Sequence, residues 1–184
     1  MKIKFKKLHE GAVLPKKATQ GSAAYDLYVP EDTTVEKGRQ IIPLGFAMEM
    51  EPGYQALVEP RSGFSSKGME GYHVTEEVAY TGLSLAPPLP IMGIDTNIPP
   101  QTCKYVAIES NRFDCDVIVG KIDADYRKGI GVILNNRDHR TFVIKAGTRI
   151  AQLTFLKVEK AEWEETDTLS ETEREGGFGS TGTK

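Results

Sequence analysis

Cysteine and tryptophan are nearly absent from this chain, which has two cysteines (Cys103 and Cys115) and one tryptophan in 184 residues. Two thiols are too few for the disulfide framework that staples small secreted domains. The histidines His9, His73 and His139 are scattered, without the ligand spacing of a four-donor zinc site. Long apolar runs are missing as well, and none approaches the ~20 residues of a membrane span. The opening Met1-Lys-Ile-Lys-Phe-Lys has no continuous apolar stretch of the secretory type, so the expected location is cytoplasmic. Positive charge is not in excess either. A net charge of −3 gives no global basic field for nucleic acid. Lys2, Lys4, Lys6 and Lys7 suit an edge strand guarded against aggregation. No segment sustains a 3.6-residue period long enough for a substantial helix.

What remains is short, β-rich and heavily punctuated. Strands are expected at residues 3–8, 40–42, 46–50, 55–59, 117–122, 130–134, 141–144 and 150–158. Glu36-Lys-Gly38, Glu51-Pro-Gly53, Asn136-Arg-Asp138 and Lys145-Ala-Gly147 separate them. Many short strands with turn signals at this spacing predict one all-β domain over residues 1–165, a sandwich, jelly roll or small barrel. An insertion at about 70–115 breaks the rhythm with Ala86-Pro-Pro-Leu-Pro90 and Ile98-Pro-Pro100. Prolines at that density preclude central strands, and so long an excursion is usually functional or an interaction surface. Residues 166–184 form an acidic linker and a glycine-rich tail ending Arg174-Glu-Gly-Gly-Phe178-Gly-Ser-Thr-Gly-Thr-Lys184. That tail cannot bury enough apolar surface to order itself. Its glycine amides, hydroxyls and arginine nevertheless suit phosphate, and its one ring suits stacking on a planar group.

Four internal segments carry chemistry. In Gly21-Ser-Ala-Ala-Tyr-Asp26-Leu a carboxylate enters an apolar strand, which is costly unless it is paired. Glu59-Pro-Arg61-Ser62-Gly63 sets arginine, hydroxyl and freed amides at a turn or helix start, a plausible anion cradle. Gly120-Lys-Ile-Asp-Ala-Asp-Tyr126-Arg-Lys interrupts a strand-turn-strand pattern. Read as extended chain, it puts Asp123 and Asp125 on one face and the tyrosine on the other. Gly147-Thr-Arg149-Ile-Ala-Gln152-Leu places a glutamine in an apolar strand.

Taken in order with the Gly-Gly-Phe178-Gly-Ser-Thr-Gly tail, these segments resemble all five motifs of the trimeric dUTP pyrophosphatases (dUTPases). The resemblance runs from about residue 2 to 182, leaving out the proline-rich excursion. It implies a β jelly roll (β-clip) assembled as a homotrimer with shared sites, hydrolysing dUTP to dUMP and pyrophosphate with Mg²⁺. The product would feed thymidylate synthesis, and the activity would limit uracil in DNA. By resemblance Asp123 is the general base and Tyr126 packs under the deoxyribose. The backbone of Gly120, Lys121, Ile122 and Gly131 reads uracil. Arg61, Ser62, Gly63 and Gln152 hold phosphates, and Asp26 holds Mg²⁺ through a water. Arg174, Phe178, Gly179, Ser180 and Thr181 close over a neighbouring chain's site.

The chain departs from the family pattern in two places that bear on these roles. Arg61 and Asp123 stand 62 positions apart, the excess being the insertion, and Arg174 lies four positions before Phe178, one fewer than is usual. Two other functions are carried alongside. One is a dCTP deaminase or bifunctional deaminase–diphosphatase of the same fold. The other is a nucleotide-gated interaction protein that contacts a protein partner through the insertion.

Overall fold

The computed structural model describes residues 1–78 and 103–173. Within them the chain is all-β and antiparallel, with one short helix. In the first sheet, β1 (Lys4–Lys7) lies beside β4 (Gly38–Glu49), followed by β10 (Gly129–Asn136) and β8 (Cys115–Ile118). The second sheet orders β3 (Thr33–Val35), β11 (Phe142–Ile144), β6 (Met69–Val78) and β7 (Cys103–Phe113). The third orders β2 (Tyr25–Tyr28), β12 (Arg149–Lys157), β5 (Tyr54–Glu59) and β9 (Gly120–Ile122). This is the jelly-roll solution expected for many short strands with strict in–out alternation. β10 shows that alternation plainly, burying Ile130, Val132, Leu134 and Asn136 and turning the residues between them outward.

The core gathers one face of each sheet, with Leu27, Leu44, Phe46, Phe113, Phe142, Ile144, Ile150 and Leu153 almost wholly enclosed. Phe113 stacks on Phe142 with ring centroids 4.1 Å apart, and the Arg140 guanidinium lies 4.9 Å from the centre of the Phe113 ring. Asp138 holds that guanidinium through bonds from Nε (2.9 Å) and Nη2 (2.8 Å). The same arginine keeps the Asp138 carboxyl well below the usual carboxylate range, chiefly by hydrogen bonding. Gly71 makes the aromatic stack possible, because a Cβ there would run into the edge of Phe142.

Three expectations change on contact with the structure. The expected strands at 40–42 and 46–50 are one strand, β4, which passes through Pro43, bends at Gly45 (φ 71°) and ends at Glu49. That glycine's carbonyl accepts from the Leu8 and His9 amides at 2.8 and 3.0 Å, an approach a side chain would block. Residues 117–122 are two strands, since the chain leaves the first sheet at Val119 and enters the third at Gly120. The proline-rich excursion rises from a ribbon of β6 and β7 whose base is part of the body. β6 is central in its sheet, and Met69 and Phe113 are core residues. The prolines themselves fall outside the described residues, as do Arg174, Phe178, Gly179, Ser180 and Thr181.

Candidate functional site

The change of sheet at Val119 creates an open slot. β8 pairs with β10 only from Ile133↔Ile118 to Asn136↔Cys115, so Gly129 to Val132 have no ladder on that side. β9 is the edge of its own sheet, paired to β5 alone through Ala56↔Ile122, Leu57↔Lys121 and Val58↔Gly120. Between these two strand edges lies a cavity of about 250 Å³, lined by Gly120, Lys121, Ile122, Tyr126 and Gly131 together with Ile41, Val58, Ile118, Gly129, Ile130 and Ile133. Apolar side chains make its walls, and peptide N–H and C=O groups without ladder partners make its rims. Such groups need a partner when covered. A planar ring with its own donors and acceptors fits these requirements.

At the slot's end the chain makes a tight turn, with the Tyr126 amide donating to the Asp123 carbonyl at 3.1 Å. The extended reading of this segment therefore gives way to a turn, which rotates Tyr126 back toward the slot that it lines. The Tyr126 hydroxyl donates to the Gly129 carbonyl at 3.2 Å, fixing the ring as a wall. Arg127 braces the loop from outside. Its Nη1 donates to the carbonyls of Ala124 (2.6 Å) and Tyr126 (3.1 Å), and its Nε lies 3.8 Å from Glu49 on β4. Asp123 stands exposed at the turn.

A second, polar depression of about 320 Å³ is lined by Asp26, Arg61, Ser62, Gly63 and Gln152, with Ala18, Ser22, Ala23 and Ala24. Register assembles it: Gln152 on β12 faces Asp26 on one side and Glu59 on the other. Beyond Glu59 the chain turns at Pro60 into α1 (Ser62–Lys67), with Arg61 as its N-cap residue. Asp26 is buried, and its charge is matched twice. Arg61 Nε donates to Oδ1 at 3.1 Å and Arg149 Nη1 to Oδ2 at 3.2 Å, while Arg61 Nη1 donates to the Arg149 carbonyl at 3.3 Å. Two guanidiniums on one carboxylate leave a net positive cradle suited to phosphate.

The predicted site residues thus fall into two groups. Gly120, Lys121, Ile122, Tyr126 and Gly131 line the slot with Asp123 at its end, and Asp26, Arg61, Ser62, Gly63 and Gln152 line the cradle. The groups do not meet within the chain. Asp123 follows Ile122, which faces Ala56, so it sits level with Gln55, whereas Arg61 lies beyond the far end of β5. Six residues of extended chain separate those levels by about 20 Å. The sequence alone does not mark Arg149 as a site residue, because its bond to Asp26 depends on the β2–β12 register. The wall isoleucines carried no local signal at all. Cys115 is a packing residue, its thiol pushed up to about 12 by burial and by Asp116 and Asp114. Among the described residues, no three His, Cys, Asp or Glu side chains cluster as metal ligands, and no helix is long and apolar enough to cross a membrane.

A jelly roll with a base-sized slot and an arginine-rich cradle has the makings of a nucleotide-binding protein. Known proteins narrow that class. The dUTPase family model matches residues 10–78 and 94–182. The deoxyuridine 5'-triphosphate nucleotidohydrolase of Beijerinckia indica is 38% identical over 94% of this chain and 85% of its own length. That of Nautilia profundicola is 35% identical over 99% of each. The chain belongs to the dUTPase family, and it is a hydrolase of nucleotide metabolism, a dUTP diphosphatase. In fold it resembles the dUTPase of Staphylococcus bacteriophage 80alpha solved with dUPNHPP, with a TM-score of 0.66, 23% identity and 98% of each chain covered. It also resembles a D95N dUTPase from phage phi11 of S. aureus described as coordinating a structural Mg(II) ion. There the TM-score is 0.62 at 19% identity, covering 91% of this chain and 98% of that one. These matches give the deaminase alternative no support.

Proposed function

We propose that the chain cleaves dUTP to dUMP and pyrophosphate by water attack on the α-phosphate, at sites shared between copies of a homotrimer. The observation that carries this reading is the pair of open strand edges, β9 and the start of β10, facing each other beside Asp123. Uracil enters as a short extra rung, its carbonyls and N–H matched by peptide groups of Gly120 to Ile122 and Gly131. Cytosine's amino group meets a donor there and leaves it unpaired, which makes rejection strong. The Tyr126 ring, held through Gly129, leaves no room for a ribose 2′-hydroxyl. Asp123 orients the attacking water and takes its proton. General-base help of this kind contributes about 10²- to 10⁴-fold.

Arg61, Ser62, Gly63 and Gln152 hold the phosphates, and Asp26 works first through the arginines that it orients. Phe178 stacks on the base and Arg174, Gly179, Ser180 and Thr181 close on the triphosphate, completing the site from a neighbouring chain. The ~20 Å between Asp123 and the cradle of its own chain supports the sharing, since one nucleotide cannot span it. Mg²⁺ fits as an ion carried by phosphate oxygens, with one water-mediated contact to Asp26. A lone carboxylate engaged by two arginines is no resident metal site, yet it suffices for an ion that keeps most of its waters. When bound, it neutralises charge on the leaving pyrophosphate. The dUMP released is the material for thymidylate synthesis, and removing dUTP limits uracil in DNA.

The test is pyrophosphate release from a panel of deoxynucleoside triphosphates, with Asp123→Asn beside the wild type. dUTP alone should turn over quickly, and the variant should bind dUTP while losing at least 10²-fold in kcat. Ammonia released from dCTP, or dUTP binding by the wild type with no pyrophosphate, sinks the proposal.

A further inference from the structure

A wall excludes a hydroxyl group only if it cannot give way. The turn from Asp123 to Lys128 has little packing to hold it. Only Ala124 in that stretch is partly buried, and Tyr126 itself is 41% exposed. A segment with so few buried contacts opens at low cost. The bond from the Tyr126 hydroxyl to the Gly129 carbonyl holds the tip of the ring, and the Tyr126 amide bonds to Asp123 within the turn. Neither bond ties the backbone that carries the ring to a sheet.

Arg127 supplies that tie. Its Nη1 donates to the Ala124 and Tyr126 carbonyls at 2.6 and 3.1 Å, so one guanidinium clasps the turn at two points. Its Nε faces the first sheet, 3.8 Å from Glu49 Oε2. Register explains the meeting. Gly129 stands opposite Ala47, and running the antiparallel pairing back two residues sets Arg127 level with Glu49, the last residue of β4. β4 lies between β1 and β10, so this end of the clasp is on an interior strand. Lys4, opposite Glu49 on β1, donates to its Oε1 at 2.7 Å. That ammonium chiefly, and Arg127 to a lesser degree, hold the Glu49 carboxyl below the usual carboxylate range, which keeps it charged.

We propose that Arg127 and Glu49 are positioning residues that set the preference for deoxyribose over ribose, by keeping the Tyr126 ring from yielding to a 2′-hydroxyl. The inference rests on the reading above, in which that ring lies under the sugar. Neither residue lines the slot, and both act through the ring.

The readout is the ratio of kcat/KM for pyrophosphate release from dUTP to that from UTP. Measured on one sample of the full-length protein, it is independent of the folded fraction. Arg127→Ala should lower the ratio at least about tenfold, because it loses charge-assisted bonds to two carbonyls. Glu49→Gln loses a half-exposed ion pair and should lower it about two- to fivefold. In the Arg127→Ala background the Glu49 change should have no further effect. A merely structural role would slow both substrates together. A wild-type ratio in Arg127→Ala, or UTP turnover that stays undetectable there, therefore overturns the proposal. A Glu49 effect that persists without Arg127 overturns the route through the clasp. Tyr126→Ala separates the two levels of the reasoning. If it relaxes the ratio and Arg127→Ala does not, the clasp fails and the sugar wall stands. If neither relaxes it, the reading of Tyr126 as the sugar wall fails, and the clasp with it.

Discussion

Two inactive variants should make an active enzyme when their subunits mix. Asp123→Asn removes the proposed base at the slot, and Arg61→Ala removes a guanidinium from the cradle, about 20 Å away in the same chain. If each site takes its slot from one copy and its cradle from another, random mixing at equal amounts leaves both intact in half times half of the sites. Activity should therefore recover to roughly a quarter of the wild-type value per site in a symmetric assembly. Each variant alone should stay at least 10²-fold down in kcat. Arg61→Ala should still fold, because Asp26 keeps Arg149 at 3.2 Å as a partner. The assay is pyrophosphate release after the two chains are denatured and refolded together, with separately refolded chains mixed afterwards as the baseline. Full-sized trimers that recover no activity would refute the argument, since a site built within one chain cannot be rescued by another.

Gly131→Ala separates binding from folding. Its Cβ would lie 2.7 Å from Cγ2 of Ile41, a methyl group on the branched Cβ, which the 69% exposed side chain can move aside only by changing its χ1 rotamer. Tm should barely change, while the methyl group in the slot costs about 1–3 kcal/mol of nucleotide affinity. A matching rise in KM that persists in the Ile41→Ala, Gly131→Ala double variant is expected, and an unchanged KM rejects the slot. Gly71→Ala should do the reverse, because its Cβ meets Phe142 in the packed stack and the Val143 carbonyl at 3.2 Å. Stability should fall by about 1–3 kcal/mol in urea, with KM for the remaining folded enzyme unchanged. Asp138→Asn tests the Arg140 clamp through pH. Because the folded carboxyl is depressed, its stabilisation is complete above the unfolded pKa of about 3.9 and is lost as pH falls below it. A penalty of about 2 kcal/mol at pH 7 should shrink at pH 3, and equal penalties at both would contradict the assignment.

How much of this was legible in the sequence depends on the range of the physics involved. Strand rhythm and turn chemistry act over a few residues, so the all-β architecture, a turn or helix start at Arg61-Ser62 and most strand positions could be read directly. Asp26 announced itself because a carboxylate in an apolar strand demands a cation. Which cation was invisible, since Arg149 meets it only through the β2–β12 register. The split at Val119 was likewise hidden, as nothing in residues 117–122 says that one half joins β10 and the other β5. Yet that split is what frees two strand edges and makes a slot. A continuous strand here would have satisfied its own backbone groups and left nothing to recognise a base. The same feature explains why the site's parts lie apart. Entering the third sheet antiparallel to β5 carries Asp123 toward Gln55 and away from Arg61, so the crossing that opens the slot also sets it at the opposite end of β5 from its own chain's cradle, and on that separation the proposed sharing between copies rests.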